Sequence, residues 1–171
     1  MNELLKIKTL GELKASGYKS RSIGSELREN LIVAIREKRN PFPGVLGYEK
    51  TVMPDIQRAI LSGHNINLLG LRGQAKTRIA RQMTALLDEY IPVLKGSEIN
   101  EDPLNPITNS AKELISIHGD QTEISWMHRD DRFVEKLATP DVTVADLIGD
   151  IDPIKAANLK ISYSDERAIH F

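Results

Sequence analysis

The stretch Asn65-Ile66-Asn67-Leu68-Leu69-Gly70-Leu71-Arg72-Gly73-Gln74-Ala75-Lys76-Thr77 decides how the chain is read. Its apolar half predicts a short strand, and its Gly-rich half a tight loop that feeds a helix. The loop spacing is Gly70, four residues, Ala75, Lys76, Thr77. That is the phosphate-binding P-loop pattern with Ala75 in place of the second glycine. Small residues let successive backbone amides curl around phosphate oxygens. The following helix turns its unpaired amides and positive dipole end toward the same anion. Lys76 reaches terminal phosphates as a point charge, and the Thr77 hydroxyl is suited to ligating Mg²⁺. The competing reading is a Gly-rich strand-to-helix turn that binds nothing.

Outward from this motif, the chain divides into short segments. On its N-terminal side, a helix is predicted from Ser25 to Lys38, with Leu27, Leu31, Ala34 and Ile35 inward and Ser25 as cap. Asn40-Pro41-Phe42-Pro43-Gly44 stops it. A second helix is expected from Val52 to Ser62, capped by Thr51, with Pro54 tolerated in its first turn. Its buried stripe is Ile56, Ile60 and Leu61. Asn67 interrupts the apolar run of the following strand, which is unusual for a strand buried on both faces.

On the C-terminal side, the P-loop helix is predicted from Lys76 to Glu89. Ile79, Met83, Leu86, Leu87 and Tyr90 form its inward face. Arg78 lies in its first turn, where it can approach a nucleotide or remain a surface arginine. Residues 91–131 read as irregular, with one short helix from Asn109 to Ile117. A second strand is expected from Arg132 to Ala138. Val144, Leu147, Ile148, Ile151 and Ile154 form a last apolar set.

Composition narrows the function classes. The chain has 171 residues and a net charge of −1, so no whole-chain basic field points to nucleic acid. It has no cysteine, which excludes disulfides and thiolate metal sites. No apolar run approaches the ~18 residues of a membrane span. A cytoplasmic location is expected. Hydrolysis of a nucleotide needs an acidic residue at a strand end to hold Mg²⁺. Leu86-Leu87-Asp88-Glu89 resembles such a site, but on a continuous helix it lies some 18 Å from Lys76 at 1.5 Å per residue. The chain is therefore expected to bind a nucleotide without containing the parts that cut it.

Phe42-Pro43-Gly44-Val45-Leu46-Gly47-Tyr48 and the P-loop with Ala75 belong to a wider resemblance. With Leu137-Ala138-Thr139-Pro140-Asp141 through Gly149-Asp150-Ile151-Asp152-Pro153-Ile154-Lys155-Ala156, they resemble the ATPase subunit of magnesium chelatase and its bacterial relatives. These are AAA+ ATPases close to the MoxR group, where Ala in the P-loop is common. Thr9-Leu10-Gly11-Glu12-Leu13 and Glu26-Leu27-Arg28-Glu29-Asn30-Leu31 resemble a leader of one branch.

The resemblance implies an α/β fold, a three-layer P-loop NTPase sheet with helices on both faces, here incomplete. A helical N-terminal extension over residues 1–40 would precede it. Residues 41–171 would be the first part of the nucleotide-binding domain, ending before the acidic strand, so an N-terminal fragment is expected. Val45, Leu46, Gly47 and Tyr48 would line the adenine pocket. Gly70, Leu71, Arg72, Gly73, Gln74, Ala75, Lys76 and Thr77 would hold the phosphates of ATP, Thr77 would hold Mg²⁺, and Arg78 would lie beside them. The family forms hexameric rings and works with a partner carrying a von Willebrand A-type domain, so a homo-oligomeric ring and such a partner are implied. Magnesium insertion into a porphyrin and protein remodelling both stay open. The alternative function is a nucleotide-binding interaction module without hydrolysis; a small P-loop kinase fits the helical leader less well.

Overall fold

The computed structural model describes residues 4–97, 99–163 and 168–170. Residues 1–3 of the expected extension lie outside the described residues, as do 98, 164–167 and 171 of the expected nucleotide-binding part.

After a three-ten turn at Leu4–Lys6 comes helix α1, Leu10–Ala15. Thr9 and Glu12 close a reciprocal capping box at its start, each side chain taking the other's backbone N–H at 3.3 Å. Helix α2 spans Ile23–Arg36. Its cap is Ser22, not the expected Ser25: the Ser22 Oγ accepts from the Ser25 amide at 3.2 Å. Leu31 and Ala34 are buried as predicted, whereas Ile35 is exposed. Helix α3 spans Val52–Leu61, with Met53, Ile56 and Ile60 inward. The Thr51 side chain does not cap it. The Tyr48 carbonyl serves instead, accepting from the amides of Thr51 at 3.2 Å and Met53 at 3.0 Å.

Helix α4, Lys76–Gln82, follows the Gly70–Ala75 loop, and a three-ten turn continues it over Met83–Leu86. It ends before Glu89 because Leu87 is already extended, at φ −81° and ψ 155°. Tyr90 is therefore not on the helix. It opens strand β1, Tyr90–Leu94, which pairs antiparallel with β2, Ile124–His128. Residues 91–131 are thus more regular than expected, and helix α5, Asn109–His118, lies between the two strands.

Two expected strands are not strands. Asn65–Leu69 has no ladder partner among the described residues, but its side chains alternate as in an extended segment. Ile66 and Leu68 pack on the core, while Asn65, Asn67 and Leu69 are exposed. Asn67 is polar because it faces outward. Residues 133–138 likewise carry no ladder, and Arg132 closes a three-ten turn instead. The described ladders are β1–β2, the short pair of β3 (Asp150–Ile151) with β4 (Ile169–His170), and a bridge between Thr9 and Glu123.

Leu31, Phe42, Val45, Met53, Ile56, Ile60, Ile79 and Leu86 form one core, shared by α2, α3, α4 and the Phe42–Val45 loop. The N-terminal segment attaches elsewhere, to the start of β2. The Leu10 amide donates to the Thr122 carbonyl at 2.9 Å, and Trp126 Nε1 donates to the Ile7 carbonyl at 3.0 Å.

Helix α6, Ala145–Ile148, and helix α7, Pro153–Leu159, complete the described helices. Asp152 caps α7 through the amides of Ile154 and Lys155, with Pro153 in the first helical position. Val144, Leu147, Ile148, Ile151 and Ile154 are all exposed. No helix among the described residues is long and apolar enough to cross a membrane.

Candidate phosphate-binding site

The loop from Gly70 to Ala75 folds around the Lys76 ammonium. Lys76 Nζ donates to the Gly70 carbonyl at 2.8 Å and to the Leu71 carbonyl at 2.5 Å. Gly73 and Ala75 have positive φ, 80° and 56°, on either side of Gln74. Such alternation of backbone handedness turns successive amides toward one point, the conformation that anion-binding nests use. Ala75 adopts the left-handed region without being glycine and stands immediately before α4. Its carbonyl accepts the first helical bond, from the Ile79 amide at 2.9 Å.

Close approach explains Gly70. A Cβ there would collide with Gln74 Oε1, so a side chain at position 70 would displace the Gln74 amide from over the loop. Leu71 and Arg72 are exposed at the loop tip. Thr77 is exposed in the first turn of α4, with its hydroxyl outside any hydrogen bond to the described residues. Among the described residues no group of three or more His, Cys, Asp or Glu is placed to hold a metal.

The charge of the segment fits an anion. From Gly70 to Gln82 the sequence carries Arg72, Lys76, Arg78 and Arg81 and no acidic residue, in a chain whose net charge is −1. Among the described residues Arg81 is the one of these four in an ion pair, bidentate to Glu135 at 2.7 and 3.0 Å. That guanidinium holds the Glu135 carboxyl below its ordinary range.

The residues expected around adenine are split by their burial. Val45 is buried in the core, Tyr48 packs half-buried against it, and Leu46 and Gly47 are exposed. Sequence reading missed Gln82, which together with Arg78 joins this loop to α4. Gln82 Nε2 donates to the Pro43 carbonyl at 2.7 Å, and Arg78 Nη2 donates to the same oxygen at 3.3 Å. Arg78 and Gln82 stand at i and i+4 on one face of α4, a spacing visible in the sequence. Their shared target is not visible there.

Asp88, the acid considered for Mg²⁺, is engaged by α2 and the connection before it. It is ion-paired with Arg21 of the α1–α2 connection, and its Oδ1 accepts from Asn30 Nδ2 of α2 at 3.0 Å. The reason given from sequence, a continuous helix to Glu89, is corrected by the break at Leu87.

Comparison with protein-family models, with curated proteins and with solved structures finds no match to this chain.

Proposed function

We propose that the chain binds ATP and is the ATP-binding portion of an AAA+ ATPase of the magnesium chelatase and MoxR type. The observation that carries this reading is the wrapping of Gly70–Ala75 around the Lys76 ammonium at the start of α4. A phosphate would take the ammonium from the loop carbonyls as a charge-assisted partner. Gly70, Leu71, Arg72, Gly73, Gln74 and Ala75 would supply backbone amides, and Arg78 would add positive charge. Thr77 is the residue that would hold Mg²⁺, whose chemistry is to neutralise phosphate charge. Val45, Leu46, Gly47 and Tyr48 form the base loop. In this reading the extended Asn65–Leu69 segment would be a strand of a three-layer P-loop fold, with the helices on its faces. The chain works in the cytoplasm within a homo-oligomeric ring, with a von Willebrand A-type partner, in metal insertion or protein remodelling.

A second reading, nucleotide binding without turnover, is favoured by the engagement of Asp88 with Arg21 and Asn30 and by the lack of an acid from Gly70 to Gln82. Isothermal calorimetry with Mg-ATP tests the shared core of both. Lys76→Ala should weaken ATP roughly tenfold or more, the range for losing a hydrogen bond to a charged group. Unchanged affinity would remove the basis of the proposal. Phosphate release by the wild-type chain, alone or with added subunits, separates the two readings.

A further inference from the structure

We infer that Gln82 is a positioning residue that holds the base loop, Pro43–Tyr48, against the helix of the phosphate loop. The inference rests on the nucleotide reading above. Its starting point is the Pro43 carbonyl, which receives Gln82 Nε2 at 2.7 Å and Arg78 Nη2 at 3.3 Å, both from α4.

Gln82 is a costly choice for packing alone. Its Oε1 is buried with no hydrogen-bond partner among the described residues, an unfavourable arrangement that a methionine or leucine of similar size would avoid. What glutamine supplies and those residues lack is the Nε2 donor at Pro43.

Gly44 has the complementary role. Its φ of 70° lies in the left-handed region, and a Cβ there would collide with Arg78 Nη2. The turn favours glycine, and any side chain there would also push the guanidinium away from the Pro43 carbonyl. The next residue, Val45, is buried in the core that also contains Ile79 of α4. The loop is therefore seated on α4 by a carbonyl at Pro43 and by an apolar side chain at Val45. Beyond this seat, Leu46 and Gly47 stay exposed. The base loop and the phosphate loop then move as one body, and a ligand that spans both gains from the tie. A ligand that touches only the phosphate loop does not.

Titration of the purified chain with ATP and with inorganic tripolyphosphate tests this, using Gln82→Met and Gly44→Ala. Each variant should weaken ATP roughly fivefold, the effect of about one hydrogen bond, and leave tripolyphosphate within about twofold. Equal losses for both ligands, or unchanged ATP affinity, would overturn the inference. So would loss of the folded circular dichroism spectrum in both variants, because the tie would then serve the fold. Wild-type chain that binds tripolyphosphate as tightly as ATP would overturn the base-loop role and leave the phosphate cradle standing. Wild-type chain that binds neither would overturn the nucleotide reading itself.

Discussion

Glu26 and Arg132 form a buried bidentate pair, Nη1 to Oε1 at 2.7 Å and Nη2 to Oε2 at 2.6 Å. They stand 106 positions apart, and their side chains are 2% and 9% exposed. Glu26 Oε1 also accepts from the Asp88 amide, just after the three-ten turn that extends α4. One carboxylate thus fastens α2 to the end of α4's three-ten extension and to the segment leaving β2. Removing one partner of such a pair leaves an uncompensated buried charge, at about 3–5 kcal/mol. Arg132→Met should lower stability by that order in urea denaturation. Glu26→Leu combined with Arg132→Met should recover most of the loss. A double variant less stable than the single would show that the pair itself contributes more than its desolvation costs.

Tyr18 should make the protein sensitive to alkali. Burial is the main reason its hydroxyl is pushed up to about 12, with Asp88, Asp102 and Glu26 adding to it. The folded state therefore favours the neutral ring. That contribution is complete below the ordinary tyrosine value near 10 and is lost as pH rises through about 12. Stability of the wild type should fall across this window more steeply than that of Tyr18→Phe. Matching slopes in the two proteins would place the cause elsewhere.

Glu101 organises the loop before α5. Its carboxylate accepts from the amides of Ile107 and Thr108 at 2.8 and 2.7 Å, and from the Thr108 hydroxyl at 2.8 Å. Burial pushes its carboxyl up, but the bonds from Thr108, Ile107 and Ser97 outweigh this and hold it below the ordinary 4.5. The stabilisation is present above that value and is lost as pH falls through the lower folded one. Glu101→Gln should cost about 1–3 kcal/mol at neutral pH and flatten the acid limb of the stability profile. Thermal melts across the acid range would read both effects.

Ala75 holds φ 56° without the freedom of glycine. An L-residue in that region costs roughly 1–2 kcal/mol, offset in part by the extra unfolded-state entropy of glycine. Ala75→Gly should therefore stabilise the protein by roughly 0.5–1 kcal/mol. A destabilised variant in chemical denaturation would mean that the alanine methyl makes contacts worth more than the strain.

The helices were legible because their signals are local. Ile56 and Ile60 repeat at helical spacing, and the 76–82 helix starts where the Lys76-Thr77 signature puts it. The strands were not legible, because strand pairing is a long-range property. Tyr90 continues the helical apolar pattern of Ile79 and Met83, yet it pairs with His128 and meets its ring edge-on at 5.1 Å between centroids. Asn65–Leu69 has strand-like composition and an alternating burial pattern without a described neighbour to complete it. Of the candidate site, the loop residues could be read directly from their spacing. Pro43 and Gln82 could not, since a backbone carbonyl as target leaves no trace in residue type.

The Lys76 ammonium is already satisfied by two carbonyls of its own loop. Any anion that bound at this position would consequently do so by ligand exchange, competing with the oxygens of Gly70 and Leu71 for the ammonium. The measured affinity would report the difference between two sets of contacts, and the released oxygens need new donors. Substitutions that alter where those carbonyls point would thus tune binding without touching the anion.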